Sequence, residues 1–362
     1  MYILALNSGS SSFKFGLYRV DASGAKALLA DSVAAADPGQ TMARVAEVLA
    51  QRGLPRPDAI GHRIVHGGPL LRRHCRIDAA VLDLLDGAAP FAPLHMPAAL
   101  AFIRLAGEHF PGLPQVACFD TAFHAGMPLV ASVLPLPREL REKGLQRYGF
   151  HGLSLESIVQ QLGPGRPPAR LVIAHLGHGA SVSAVKDGVS IDTSMGLTPT
   201  GGVVMGTRTG DLDPGVLVHL MRVHHFDADR LEALVDRRCG LLGISGIDSD
   251  MRRLHEAASS QPDAQLAIDM FCHSVRKQIA AMIAVLDGLD LLVFTGGIGE
   301  NDAPVRAAIC SGLAWIGVRL DDARNRGVAD PISAAASRAS VRVIASQEDA
   351  CIARHTASLV AA

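Results

Sequence analysis

The chain has 362 residues, 49% of them hydrophobic and only 4% aromatic, which is enough for two domains around a core of Ala, Val, Leu and Ile. Lys plus Arg number 34 and Asp plus Glu 35, a net charge of −1, so no basic surplus points to nucleic acid or an anionic membrane surface. No apolar run approaches a membrane span, and the first residues lack a basic segment leading into a long apolar core, so a cytoplasmic chain with no membrane partner is the expectation. Along the chain, Tyr2–Leu6 predicts a strand, followed by Asn7-Ser8-Gly9-Ser10-Ser11-Ser12-Phe13-Lys14. Phe13, Phe15 and Leu17 alternate with Lys14, Gly16 and Tyr18, so a second strand follows rather than the helix that a Walker loop would open. The turn is either a cradle for a polyphosphate and its metal ion, dense in N–H groups and hydroxyls, or an ordinary serine-rich hairpin.

Ala59–Val65 reads as a strand ending in His66-Gly67-Gly68, and Met96–His109 as a helix with Pro97 in its first turn. Val116–Phe119 is a short apolar strand that delivers Asp120. Pro135–Pro137 and Gly163–Pro168 are the clearest breaks. Beyond the second, the opening plan returns: strand Leu171–Leu176, loop Gly177-His178-Gly179-Ala180, and alternating strand Ser181–Lys186 ending in an Asp187-Gly188 turn. A third loop, Gly296-Gly297-Ile298-Gly299-Glu300-Asn301, follows the buried-type strand Leu291–Thr295, with Asn301 or Asp302 as cap for a helix begun by Pro304. The alternation of strands and helices predicts an α/β fold. The six cysteines form no CxxC pair and read as reduced packing residues; His219, His224 and His225 match no standard metal spacing and read as helix surface or core.

Several polar residues sit in settings suited to anion chemistry. Arg63 lies inside the apolar strand Gly61-His62-Arg63-Ile64-Val65-His66, and Arg208 lies in Met205-Gly206-Thr207-Arg208-Thr209-Gly210. Each reaches either an anion or the surface. His151, in Tyr148-Gly149-Phe150-His151-Gly152, reads as structural or catalytic, and Asp120 as metal ligand, base or cap.

Taken together, the segments resemble the acetate kinases of the sugar kinase, Hsp70 and actin superfamily. Besides Asn7–Lys14, the matching stretches are GHRIVHGG (61–68), APLHMP (92–97), FDTAFH (119–124), YGFHG (148–152), HLGHG (175–179), DTSMGLTPTGGVVMGTR (192–208), 243–252 and FTGGIGEN (294–301), in family order over nearly the whole chain. The resemblance implies two RNase-H-like domains around a central cleft, residues 1–122 plus 349–362 and residues 123–348. It also implies a homodimer and reversible phosphoryl transfer between ATP and acetate, giving ADP and acetyl phosphate. Carried over by position, Asn7 and Glu348 hold Mg2+, with Mn2+ as a substitute. Lys14 and the loop His175, Leu176, Gly177, His178 and Gly179 line the nucleotide phosphates. Asp250, Met251 and Arg252, together with Gly297, Ile298, Gly299, Glu300 and Asn301, flank the nucleoside. Arg63, His151 and Arg208 surround the transferring group with Asp120 beside them, and Val65, Leu94, Phe150 and Pro199 form the methyl pocket with His95 next to it.

A small carboxylate ionises near pH ~4 to 5, judged by side-chain carboxyls, so it needs no general base at neutral pH. Asp120 is therefore expected to position a metal or arginine rather than to take a proton. Repulsion between two anions is the larger obstacle, and at an effective dielectric of about 20 a unit charge pair about 4 Å apart is worth about 4 kcal/mol. His178 departs from the family loop, which carries Asn there, and opens the question of how the donor is held, pyrophosphate included. Propionate or another short carboxylate is the neighbouring acceptor, and a nucleotide-binding regulator on the same fold is the alternative from another class. The chain is also shorter than typical members, and Asp349 stands ready to share the role of Glu348.

Overall fold

A computed structural model describes residues 1–9, 12–34, 37–93, 95–163 and 168–361, so Ser10, Ser11 and Leu94 lie outside the described residues. Two sheets organise it. The first has strands β1 (Tyr2–Ser8), β2 (Ser12–Asp21), β3 (Gly24–Ala34), β4 (Ala59–Ile64), β5 (Cys75–Arg76) and β6 (Gln115–Phe119), in the order β3-β2-β1-β4-β6-β5. The second has β7 (Arg170–Leu176), β8 (Ala180–Lys186), β9 (Val189–Thr193), β10 (Leu291–Thr295) and β11 (Ser340–Val343), in the order β11-β10-β7-β8-β9.

The two share a plan. In the first, β1 and β2 form an antiparallel hairpin that pairs Asn7 with Lys14, while β4 runs parallel to β1 and β6 parallel to β4. In the second, β7 and β8 form the hairpin and β10 lies parallel to β7, pairing Thr295 with His175. Parallel strands expose their carboxyl ends on one side, where ligands bind in open α/β sheets. Here those ends deliver Asn7, Arg63 and Asp120 from one sheet and His175 and Gly296 from the other.

Both faces of each sheet are covered. Leu4, Leu6, Phe13, Phe15, Leu17 and Ile60 pack against Met42 and Val45 of helix Pro38–Gln51 and Phe102 of helix Met96–His109. The alternate residues Ile3, Ala5, Tyr18, Val116 and Cys118 pack against Cys351, Ile352 and Ala353 of helix Glu348–Ala361. Gly61 sits under that helix, where any Cβ would strike Thr356 and Ile352. The glycine thus permits a close helix–strand approach that a larger residue would block. On the second sheet, Val172, Ala174, Leu292 and Phe294 meet the long helix Pro262–Val285, and Leu171, Ile173 and Val293 meet helix Gly152–Gln161. No helix among the described residues is long and apolar enough to cross a membrane.

Candidate active site

A cavity of about 700 Å3 lies where the strand ends of the two sheets face each other. On the first side, Arg63 projects from β4 toward Asp120, which follows β6 and is fixed by its own N–H bonding to Ile64 O at 2.9 Å. Arg63 Nη2 and Nε donate to Asp120 Oδ2 at 2.6 and 3.0 Å, a forked pair in which the carboxylate side chain is 2% exposed and the guanidinium 15%. Burial pushes the Asp120 carboxyl above its ordinary value, and Arg63 offsets part of that shift. Arg63 Nη1 also donates to Asn7 Oδ1 at 3.3 Å. The Asn7 amide then donates to Glu348 Oε2 at 3.1 Å and Asp349 Oδ1 at 2.8 Å.

Glu348 and Asp349 open helix Glu348–Ala361 and both line the cavity. Burial would raise the Glu348 carboxyl, but Arg63, His175, Asn7 and Lys14 hold it below its ordinary value. Burial and the neighbouring Glu348 push Asp349 up. Among the described residues, no basic side chain comes within 4.0 Å of either carboxylate. Two adjacent half-buried carboxylates without an ion-pair partner are hard oxygen donors that suit a divalent cation such as Mg2+.

On the second side the groups are imidazoles, glycines and one arginine. His151 has φ 59° and precedes helix Gly152–Gln161, a left-handed conformation that costs energy for a non-glycine residue and turns the ring inward. Its backbone is held by Gly152 N–H bonding to Asp120 O at 2.8 Å. Gly149, at φ 73°, lets the preceding turn press against Thr193 and His124. The His151 ring stacks on His175 at 4.2 Å, with Nδ1 3.0 Å from Ser181 Oγ, while His175 Nδ1 lies 2.9 Å from Ser154 Oγ. Burial drives both imidazoles toward the neutral form, and for His151 the neighbouring His175, Arg63 and Arg208 push further the same way. Burial, then Arg208 and Arg63, bring His95 down to about 4. His178 is also lowered, by burial and by Arg208.

Arg208 is 9% exposed, and its nearest fixed contacts are Pro199 O at 3.1 Å and Met205 Sδ at 3.6 Å. No carboxylate among the described residues lies within 4.0 Å of it. Burial lowers its affinity for the proton, with Asp236 opposing this and Arg63 adding to it. A Cβ on Gly179 would sit 3.2 Å from both Arg208 Nη1 and His151 Nε2. The bare loop, the guanidinium and the imidazole therefore converge on one point.

Of the residues singled out from the sequence, Asn7, Lys14, Arg63, Val65, His95, Asp120, Phe150, His151, His175, Gly177, His178, Gly179, Pro199, Arg208, Gly297, Glu300 and Glu348 line this cavity. Leu176 and Met251 turn their side chains into the core. Asp250 caps helix Met251–Ala257 and pairs with the exposed Arg252 at 2.6 Å, outside the cavity lining, as are Ile298, Gly299 and Asn301. Gly296–Asn301 is a helical turn rather than an open loop, and Asp302 caps the next helix by accepting from Val305 N. Tyr18, Ala25, Ala27, Ser346 and Gln347 also line the cavity. Nothing in their local sequence marks them, since long-range pairing brings them there. Helix Pro214–His224 buries none of its residues, so His219 and His224 are surface groups. Among the described residues, His74, Glu156 and His355 alone gather three ligand-type atoms. His74 Nδ1 accepts from Phe119 N at 3.0 Å, so its proton sits on Nε2, facing Glu156, and the ring offers no lone pair to a metal.

Comparison with known proteins agrees with this geometry. The sequence profile of the acetokinase family matches residues 29–354. The chain belongs to the acetokinase family. The acetate kinase of Methylocella silvestris is 41% identical over 396 aligned positions covering 99% of this chain and 98% of that one, and the acetate kinase of a Synechococcus strain is 46% identical over 81% and 74%. The fold is shared with a propionate kinase from Francisella tularensis (TM-score 0.89, 36% identity) and with the Porphyromonas gingivalis acetate kinase (0.87, 32%), each over 99% of both chains. This acetokinase-family fold places two related lobes around the cleft.

Proposed function

We propose that the chain is an acetate kinase, transferring the terminal phosphoryl group of ATP to acetate, reversibly, by direct in-line attack of the carboxylate. The observation that carries this reading is Arg208, a buried guanidinium with no carboxylate within 4.0 Å among the described residues, which shares a cavity with the Asp120-paired Arg63. A buried charge without a partner is costly unless an anion arrives to meet it. A phosphoryl group moving between two anions needs that charge.

In this reading Asp120 fixes the Arg63 fork, and Arg63 and Arg208 bracket the transferring group. With the Ser181 hydroxyl donating to Nδ1, His151 carries its proton on Nε2 and donates it to a phosphoryl oxygen without being a cation. The His175–Gly179 loop and Lys14 hold the donor phosphates. Val65, Phe150 and Pro199 take the methyl group. Asn7, Glu348 and Asp349 hold Mg2+, which when bound neutralises charge on the donor phosphates. Domains of residues 1–122 plus 349–362 and of residues 123–348, a homodimer and a cytoplasmic location belong to the same proposal. A cavity of about 370 Å3 beside the first, lined in part by Phe91, Ala92 and Val235, shares His95, Pro199 and Arg208 with it, and this extra room favours propionate as a second reading. One methylene changes selectivity by only about 1–3 kcal/mol.

The test is hydroxylamine trapping of acyl phosphate from ATP, Mg2+ and acetate, propionate or butyrate. Hydroxamate is expected from acetate and, more weakly, from propionate. Its absence with all three removes the proposal, and a larger yield from propionate selects the second reading.

A further inference from the structure

Glu300 lines the cavity, but one oxygen of its carboxylate is taken up by the protein's own donors. Its Oε1 accepts from Gly296 N at 2.9 Å, Ser346 N at 3.1 Å and Thr295 Oγ1 at 3.3 Å. The first and last of these close the glycine turn on itself. The second crosses 46 residues to the segment that ends in Glu348. The next residue is pinned from the other side, since Gln347 N donates to Ser157 Oγ at 3.0 Å. Two consecutive amides just before Glu348 are thus fixed, one of them by the turn that follows β10.

The turn is itself anchored from beneath. Arg306 is fully buried and donates from Nη1 to Gly299 O at 2.9 Å and Glu300 O at 3.0 Å, and from Nε and Nη2 to Asn325 Oδ1 and O, both at 2.8 Å. This guanidinium meets three backbone carbonyls and one side-chain amide oxygen, so it sets where residues 299 and 300 sit. A continuous set of hydrogen bonds therefore runs from Arg306 through Glu300 to the residue two before Glu348.

We propose that Glu300 is a positioning residue that ties the glycine turn on the nucleotide side to the carboxylates that hold the divalent cation. This rests on the acetate kinase reading for the cation's identity. It assigns Glu300 a different task from flanking the nucleoside: the reach of one oxygen, not its charge toward a ligand, is what counts. Groups that orient ligating carboxylates typically affect metal affinity by about 10- to 100-fold.

The experiment titrates Mn2+ against the full chain without nucleotide, following free Mn2+ by electron paramagnetic resonance, alongside melting curves. Glu300→Gln keeps an oxygen at the same reach and is expected to stay within about threefold of wild type. Glu300→Asp keeps the charge but withdraws the oxygen by one methylene, and is expected to weaken Mn2+ binding about tenfold, as is Glu300→Ala. If Glu300→Ala fails to fold, the Gln and Asp pair still decides. Loss of binding in Glu300→Gln equal to that in Glu300→Asp would show that charge matters and overturn the proposal. Wild-type affinity in Glu300→Asp would overturn it as well. Glu348→Gln separates the two failures: if it weakens Mn2+ binding while the Glu300 variants do not, only the coupling falls. If wild type binds no Mn2+ and Glu348→Gln changes nothing, the cation site falls with it.

Discussion

The two arginines of the cleft sit in opposite electrostatic settings. Arg63, on the first sheet, is locked to Asp120 and neighbours Asn7, Glu348 and Asp349, so its charge is balanced before any ligand arrives. Arg208, on the other side, rests on a backbone carbonyl and a thioether and is surrounded by imidazoles that burial holds neutral. One half of the cleft is organised by ion pairing, whereas in the other no carboxylate among the described residues lies within 4.0 Å of the guanidinium. The first arrangement fixes geometry, and the second is where the proposed reaction would place an incoming anion.

The largest expected effect tests Arg208. Arg208→Ala should lower kcat/KM on the order of 10²–10³-fold, the range seen when one donor to a developing anion is removed. It should leave the denaturation midpoint unchanged or raised, because the wild-type protein buries that charge without a partner. A clear loss of stability would mean that Arg208 is structural. Asp120→Asn probes the balanced side, where breaking a buried pair strands Arg63. The prediction is a loss of about 3 kcal/mol in urea unfolding together with a rate decrease of about tenfold or more. Combining it with Arg63→Ala should restore part of the stability but none of the rate. Stability unmoved by Asp120→Asn would erase the contrast between the arginines.

The smallest effect at neutral pH, where it vanishes, concerns the neutral imidazoles. His124 is buried, with Nδ1 2.7 Å from Ser190 Oγ and Nε2 3.0 Å from Phe150 O, and burial lowers it from 6.5 to about 4. The unfolded chain therefore binds a proton that the folded chain refuses between these values, so stability falls as pH drops through that window. The full shift is worth roughly 3 kcal/mol by pH 4, with nothing lost above pH 7. His124→Asn should flatten the acid limb of stability against pH, measured by denaturant midpoints from pH 4 to 7. An unchanged slope would show that the ring is protonated in the fold.

Much of this was legible because strand ends announce themselves. An apolar run that stops at a single polar residue, as at Phe119-Asp120 or Leu6-Asn7, marks where the sheet meets a ligand, and glycine clusters after such runs mark the loops. The strands Leu291–Thr295 and the helix Met96–His109 have the bounds that their residues suggest. The turn at 296–301 read as an open loop because glycine is a poor helix former; its helical form depends on Arg306 and Glu300, which no local window reveals. The isolation of Arg208 was equally hidden, since the absence of a carboxylate partner is a property of the packed molecule. Ser154 and Ser181, which hold the two stacked rings, looked like ordinary helix and strand residues.

Helix Glu348–Ala361 carries one more consequence. Its body rests on the first sheet over Gly61, and its first turn brings the acidic groups that face Asn7. During synthesis on the ribosome, both arginines, the imidazoles and all three glycine loops emerge before those two acids do. A product that stops short of residue 348 lacks both acids that face Asn7, and with them the helix whose Cys351, Ile352 and Ala353 cover one face of the first sheet.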